Sequence, residues 1–212
     1  MRSLPRGVSH GLAFDPIASA RDIWIANGWE RAAAGMAAIT SIMRAHQLFL
    51  ANANDTLRPF DLTYARYEVL AWLVWQSEDG SLSLKELSEC LQVTPATITK
   101  AIDRLEEAAL IRRVPHPHDA RTTLAQITKR GRRVVAQATE ALNAQVFEAV
   151  SLSVEEMDEL FRLLLSVRVD AGDFVAQFDD DPATTSRVAT TEGRALVRVV
   201  TRHLGHTGGT AR

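Results

Sequence analysis

Hydrophobic positions recur at helical spacing through the first quarter of the chain. Asp15 and Pro16 predict a helix start, because an aspartate can cap free backbone amides and a proline at the first helical position loses no hydrogen bond. Between Trp29 and Leu57, apolar residues recur three and four positions apart along two adjacent stripes. A helix with so wide an apolar surface is buried on more than one side, so we expect a partner chain to cover part of it.

Capping residues mark the starts of the helices that follow. Ser83 and Ser153 each precede a glutamate by three positions, at Glu86 and Glu156, and this spacing is typical of a capping box. In such a box the serine hydroxyl accepts from an amide inside the helix, while the carboxylate accepts from the amide of the serine. Single N-caps are predicted at Thr63, Thr94 and Thr128.

The C-terminal part of the pattern predicts two more helices. The first runs from Lys129 to about Val150 and the second from Ser153 to about Phe174. The run Asp179–Pro182 predicts a stop after them. The core stripe expected on the second helix is Met157, Leu160, Phe161, Leu164 and Val167.

The segment from Leu82 to Thr128 predicts a helix, a turn, a second helix and a two-stranded hairpin with a charged tip. In the second helix, Ile98, Ile102 and Leu105 are spaced to face the core. This order describes a winged helix-turn-helix, a shape that lays its second helix in the major groove of DNA. The predicted fold class is therefore mostly α (α+β), with further helices on both sides of the winged domain.

The outward face of the second helix is small and hydroxylated at its N-terminal end and basic further along. Threonine can donate or accept at base edges, and Lys100 and Arg104 suit contacts to phosphate or guanine. At the hairpin tip Arg121 could enter a narrow minor groove, with Asp119 orienting its guanidinium by a bidentate pair. The predicted DNA contacts are Thr94, Ala96, Thr97, Thr99, Lys100, Arg104, Arg112, Arg113, His116, Asp119, Arg121 and Thr122.

Charge is distributed unevenly, although the whole chain carries a net charge of only −2. Residues 94–133 hold nine Lys or Arg and four Asp or Glu, a net +5, whereas residues 134–182 carry a net −9 and residues 183–212 a net +4. A basic patch in an otherwise acidic molecule can hold phosphates. Apolar and charged residues, 46% and 24% of the chain, are near the average of globular proteins.

The single cysteine, Cys90, excludes an internal disulfide and indicates a reducing compartment. No apolar run is long enough to span a bilayer, and the N-terminus lacks the apolar stretch of a signal peptide, so we expect a cytoplasmic protein. The predicted organisation is a flexible arm (1–14), N-terminal dimerisation helices (15–60), the winged domain (61–128), C-terminal dimerisation helices (129–177) and an acidic linker with a basic tail (178–212).

The motifs of the winged segment resemble the MarR family of bacterial transcription regulators, over about residues 29–175. The wing pattern of that family is Asp-Pro-x-Asp-x-Arg, and this chain has His116 at the first acidic position. Gly131 stands where the family has its helix glycine. The motifs that carry the resemblance are Ser83–Leu87, Thr94–Thr99, Asp103–Glu106 and Asp119–Arg121.

The resemblance implies a homodimer held by N- and C-terminal helices, with two recognition helices and two wings on a pseudo-palindromic operator in double-stranded DNA. It also implies a repressor that is released by a small effector, for which an aromatic acid is the expected class. The effector of such proteins lies between the dimer helices and the winged domain. Here that region would include Met43, His46, Arg66 and Trp72, although each is also spaced as a core or helix-surface residue.

Other interpretations of the same residues are open. The outward helix face and the wing tip could be ordinary solvated surface, and a winged-helix dimer could serve as a protein-interaction module without DNA. Cys90 could be a redox sensor, but its position favours a buried, inert thiol. His116, His118 and Asp119 lack rigid support for a metal, so no metal or cofactor is expected, and no catalytic motif predicts an enzyme.

Overall fold

The computed structural model describes residues 11–77, 79–119 and 121–174. A 3-10 turn and a π-helical segment join the regular elements, and within these ranges no helix is long and apolar enough to cross a membrane. The helices are α1 (Pro16–Ala26), α2 (Glu30–Leu57), α3 (Tyr64–Trp75), α4 (Leu84–Cys90), α5 (Pro95–Glu107), α6 (Lys129–Leu142) and α7 (Val154–Asp170). The strands are β1 (Ser81–Ser83), β2 (Ile111–Pro115) and β3 (Thr123–Ile127), the 3-10 turn is Arg58–Phe60, and the π segment is Asn143–Phe147.

The chain divides into two compact units. The first ends at Val150 and contains α1 to α6, the π segment and the three strands, and the second begins at Ser151 and contains α7. Most of the predicted N-terminal arm, the stop predicted at Asp179–Pro182 and the basic tail lie outside the described residues.

The predicted caps form as expected and define the helix starts. The Asp15 carboxylate accepts from the amide of Ile17 at 2.9 Å, ahead of Pro16 at the first position of α1. The Ser83 hydroxyl accepts from the amide of Glu86 at 3.2 Å, and the Glu86 carboxylate accepts from the amide of Ser83 at 2.8 Å, which confirms the capping box. The remaining predicted caps, Thr63, Thr94, Thr128 and Ser153, are confirmed as well.

The capping box of α4 makes part of the stability depend on pH. A hydrogen bond from the amide of Ser83, and to a smaller extent one from its hydroxyl, lowers the pKa of Glu86 below its ordinary value of 4.5. Because the pKa is lower in the folded state, this stabilisation is complete above pH 4.5 and is lost as the pH falls through the folded pKa.

We expect Glu86→Gln to lower the free energy of unfolding at pH 7 by about 0.5 kcal/mol, because a charge at a helix N-terminus is lost. The variant should therefore unfold at a lower urea concentration than the parent. The difference should disappear at a pH below the folded pKa of Glu86. Glu89→Gln is the matched control, since Glu89 lies in the last turn of the same helix, where a negative charge opposes the helix dipole. An equal loss in both variants at pH 7 would contradict the cap argument.

The sheet has three strands where two were predicted. Its order is β1-β3-β2, and both pairs are antiparallel. The additional strand β1 immediately precedes α4 and pairs Leu82 with Ala125 of β3. Three residues carry too little periodicity to predict a strand, so β1 is recognisable only from its partner. The pairing fixes the start of α4 to the base of the wing.

α5 is held by its inner face, as the spacing predicted. Ile98, Ile102 and Leu105 are buried and cluster with Leu70 and Leu73 of α3. Burying side chains of this size contributes about 1.5–3 kcal/mol each. The opposite face of α5 needs no further packing and is exposed.

The start of α6 lies directly against the segment that leads into β2. The amide of Thr128 donates to the carbonyl oxygen of Leu110 at 2.9 Å, and the Thr128 hydroxyl donates to that of Ala109 at 2.9 Å. Three residues on, a methyl group at Gly131 would overlap the Leu110 carbonyl oxygen and press on Ile127. The close approach therefore requires glycine at position 131.

The helices after the wing differ from the prediction in length. α6 ends at Leu142, and the chain continues as the π segment to Phe147 without reaching Val150. α7 ends at Asp170, short of Phe174. A π segment inserts extra backbone into a helix while keeping it helical, so apolar spacing alone does not reveal it.

The predicted core stripe of α7 is wrong for the single chain. Leu165 is the residue of α7 that is buried. The sequence pattern identified an apolar face but could not say whether the same chain covers it. Four predicted core residues are 36–60% exposed and the fifth, Leu164, is half-buried; the four are Met157, Leu160, Phe161 and Val167.

Candidate nucleic-acid interface

The outward face of α5 presents small and basic side chains to solvent. Ala96, Thr97, Lys100 and Arg104 are all exposed. Among the described residues Lys100 forms no ion pair, whereas Arg104 pairs with Glu107 at 2.8 Å. An exposed pair of this kind is worth about 0–1 kcal/mol and would exchange readily for a phosphate. The face matches the predicted nucleic-acid contacts in exposure and charge.

The hydroxyl groups at the N-terminal end of α5 are partly engaged within the helix. Thr94 caps the helix through the amide of Thr97, and the two hydroxyls lie 3.0 Å apart. The Thr99 hydroxyl donates to the carbonyl oxygen of Pro95 at 2.9 Å. Since that proton is used inside the helix, Thr99 is left to accept from a base edge or to make an apolar contact through its methyl group.

Arg113 links the wing to α5. Its guanidinium pairs with Asp103 at 2.6 Å and with Glu106, and its amide donates to the Glu106 carboxylate at 3.1 Å. Hydrogen bonding to Asp103, and to a smaller extent to Glu106, raises the pKa of Arg113 above its ordinary value. Two carboxylates compensate the charge of a partly buried side chain. The structure therefore places Arg113, a predicted DNA contact, between β2 and α5, where it links the two elements.

Arg112, the neighbouring residue of β2, is exposed and crosses to the next strand. Its Nε and one Nη donate to the amide oxygen of Gln126 on β3, at 2.9 and 2.6 Å. Because this partner is a neutral amide, it does not compensate the positive charge of Arg112. Arg112 remains available to a phosphate on the wing side of α5.

The wing tip is closed by Asp119, in a way that the sequence did not predict. One carboxylate oxygen accepts from the amide of Arg121 at 3.0 Å, and the other accepts from the Thr122 hydroxyl at 2.6 Å. Both hydrogen bonds lower the pKa of Asp119, and the one from Thr122 has the larger effect. The predicted bidentate pair with the Arg121 guanidinium is wrong, because the turn itself occupies both oxygens. Among the described residues Arg121 forms no ion pair and is exposed.

The histidines of the wing support the same turn. The Nδ1 of His116 accepts from the amide of His118 at 3.2 Å, and the amide of His116 donates to the carbonyl oxygen of Thr122 at 3.1 Å. The two imidazole rings meet edge to face, with centroids 6.2 Å apart. Within the part of the chain that the structure describes, no three His, Cys, Asp or Glu side chains are grouped as metal ligands.

The four residues predicted to bind an effector do not share one site. His46 lines a cavity of about 400 Å³ between α2, α3 and the π segment. Met43 lines a second cavity, against the segment that begins at Gly11. Arg66 lines a third, and Trp72 packs against the core. Met43 and His46 lie on α2, and Arg66 and Trp72 lie on α3, but the sequence could not show which faces of these helices meet.

The cavity beside His46 contains polar residues that the sequence pattern did not single out. Tyr64 and Glu68 lie on α3 one helical turn apart, and both are half-buried. Burial raises the pKa of Glu68, and burial together with the nearby Glu68 charge raises that of Tyr64. A tyrosine and a glutamate spaced by four on the core-facing helix were the signal that could have identified the site.

Cys90 is exposed, so the expectation of a buried thiol is wrong. Its pKa is nevertheless raised, by partial desolvation and then by the negative charges of Glu86 and Glu89. The thiolate is the reactive form, so a raised pKa makes Cys90 a poorer nucleophile at neutral pH. Partial desolvation first, and the acidic neighbours second, therefore explain why the thiol is expected to be inert.

The chain is similar in sequence and fold to known proteins of one family. The family model described as MarR family matches residues 62–123. Sco5413, a MarR family transcriptional regulator from Streptomyces coelicolor, has 43% sequence identity to this chain. Its crystal structure matches with a TM-score of 0.60, and the match covers 66% of this chain and 96% of that one. The chain belongs to the MarR family. The family inferred from the motifs and the mostly α winged helix-turn-helix fold are thereby confirmed.

Two further MarR-type proteins are similar over parts of the chain. A mutant form of MarR from Escherichia coli, crystallised with operator DNA, is 26% identical with a TM-score of 0.56, over 60% of this chain and 91% of that one. The HTH-type transcriptional repressor IacR of Pseudomonas putida is 31% identical over 99 residues, which are 47% of this chain and 58% of IacR. The chain thus spans little more than half of that repressor. The matched proteins are transcriptional regulators by name.

Proposed function

We propose that this MarR-family protein is a DNA-binding transcriptional repressor that binds a pseudo-palindromic operator as a homodimer and responds to a small effector. The observation that carries the proposal is the exposed face of α5, with Lys100 free of ion pairs among the described residues, beside a wing whose Arg121 is equally free. Two cations on adjacent elements provide the electrostatic footprint of a duplex-binding surface.

The internal links of the winged domain support this role. Arg113 joins α5 to β2, and Asp119 closes the turn that carries Arg121. A recognition helix and a wing held in one geometry can contact adjacent grooves with little loss of conformational entropy on binding. The protein–operator complex of the E. coli relative is consistent with this use of the fold.

The proposal is tested by a gel shift with DNA from upstream of the protein's own gene. We expect a sequence-specific band whose affinity falls steeply as salt rises, because phosphate contacts release counterions. Two recognition helices of a dimer would contact half-sites about 34 Å apart. A promoter fragment that binds no better than scrambled DNA at moderate salt would contradict the proposal.

Exposed apolar side chains support the dimer. On α2, Ile39 is 61% exposed and Met43 is 60% exposed, and α7 carries the exposed stripe described above. Patches of this kind on a single chain mark interaction surfaces. The long N-terminal helix and the C-terminal helix are therefore proposed as the dimerisation elements.

Ile39→Asp should weaken self-association about tenfold or more, because it would bury an unpaired charge in the interface. Size-exclusion chromatography with light scattering should give a mass of two chains for the parent. The mass of the variant should fall to that of one chain on dilution. Ser41→Asp is the matched control, since two positions along a helix turn a side chain by about 200°. If Ile39→Asp stays dimeric on dilution, this face of α2 is not part of the dimer interface.

The cavity beside His46 is proposed as the effector site. A volume of about 400 Å³ lies within the range of small-molecule sites, and its walls are mostly apolar. Its floor includes α3, which packs on α5 through the core. A ligand that shifts α3 would thus act on the helix proposed to contact DNA.

A further inference from the structure

The charge of the effector is set by the polar residues of the cavity. Among the described residues that line it, the aromatic ones are Phe49, Tyr64 and Phe147, and the ionisable side chains besides Tyr64 are His46 and Glu68. The guanidinium groups nearest in sequence lie elsewhere: Arg44 and Arg66 line two other cavities. No arginine or lysine is therefore available in this lining to pair with a carboxylate.

Glu68 is the half-buried charge of the cavity. Its side chain is half-buried, whereas that of the basic His46 is exposed. Among the described residues the Glu68 carboxylate forms no hydrogen bond or ion pair; desolvation raises its pKa, and its charge also raises the pKa of Tyr64. A carboxylate in this state gains most from a ligand that brings a positive charge, and it repels a second carboxylate.

The aromatic walls favour the same kind of ligand. Phe49 and Phe147 line the cavity together with Tyr64, and aromatic faces attract cations as well as rings. The π segment contributes Val146 and Phe147, and the side-chain amide of Asn52 on α2 donates to the carbonyl oxygen of Gln145 within it at 3.2 Å. Irregular helical turns of this type recur at functional sites.

We propose that the cavity binds an aromatic ligand carrying a basic nitrogen, which donates to the Glu68 carboxylate while its ring lies between Phe49 and Phe147. This inference rests on the proposed effector role of the cavity. It replaces the aromatic acid expected from the family resemblance, because this chain presents a carboxylate where an acid would need a cation.

The test compares benzamidine with benzoate, which share a ring and a planar head group and differ in the sign of their charge. Calorimetric titration of the full-length protein without DNA should show that benzamidine binds at least about tenfold more tightly than benzoate. That factor corresponds to one charge-assisted hydrogen bond. Glu68→Gln should remove the preference, whereas Glu140→Gln, an exposed glutamate of α6 outside the cavity, should keep it.

Phe147→Ala is the second variant, since its side chain is 48% exposed and its loss should leave the fold intact. It should weaken benzamidine binding several-fold, which would place the ligand in this cavity. Equal or tighter binding of benzoate, no binding of either compound at millimolar concentration, or a Glu68→Gln protein that binds like the parent would each overturn the inference. DNA binding of the ligand-free protein is measured separately, so its failure would refute the repressor proposal alone.

Discussion

Replacing Gly131 with alanine should destabilise the protein by about 3 kcal/mol, the upper part of the range for overpacked sites. The added methyl group would overlap the carbonyl oxygen of Leu110, which also accepts from the amide of Thr128. Backbone on both sides of the contact is fixed by hydrogen bonds, so neither side can move away freely. Because a domain is stable by about 5–15 kcal/mol in total, the loss would be large.

The effect is measured as the midpoint and slope of urea unfolding, followed by circular dichroism. Gly35→Ala on α2 is the matched control, because a methyl group there meets no described atom of its own chain within 4 Å. Alanine in an open helical position should stabilise by about 0.5–1 kcal/mol. If the two variants changed stability in the same direction, close packing at Gly131 would not be the cause.

Arg121→Ala should weaken binding to specific operator DNA by about 1–3 kcal/mol, a loss of roughly five- to 150-fold in affinity. Asp119 holds the turn through the amide of residue 121 and not through its side chain, so the substitution should leave the wing folded. The expected cause is therefore a lost groove contact. Fluorescence anisotropy with a labelled operator measures the affinity.

Lys100→Ala should act differently at the same interface. A phosphate contact carries no sequence information, so the variant should lose affinity for specific and random DNA alike, and the salt dependence should become shallower by about one unit. Arg21→Ala on α1, an exposed arginine outside the winged domain, is the control for both variants. Unchanged operator affinity in both Arg121→Ala and Lys100→Ala would reject the DNA-binding surface.

Local signals in the sequence predicted the helix starts well, because a cap is a contact between residues two or three positions apart. Asp15, Ser83 and Thr94 each bond to the first turn of their own helix. The inner face of α5 was predictable for a similar reason, since a helix with one apolar stripe has one way to pack.

Contacts between distant segments were not predictable in the same way. β1 is defined by Leu82 opposite Ala125, which lies 43 positions away. Arg113 was expected at DNA because its charge was visible in the sequence, whereas its pairing with Asp103 depends on how β2 passes α5. The site of His46, Tyr64 and Glu68 likewise depends on the packing of α2 against α3.

The ion pairs of Arg113 have a consequence for how regulation could evolve. If α5 and the wing move together, an effector would change the distance between the two winged domains of a dimer. The bases that each winged domain contacts would stay the same. Operators with altered spacing but identical half-sites would then respond differently to the same ligand. Target choice and ligand response could change independently, the first through substitutions on α5 and the second through those around Glu68.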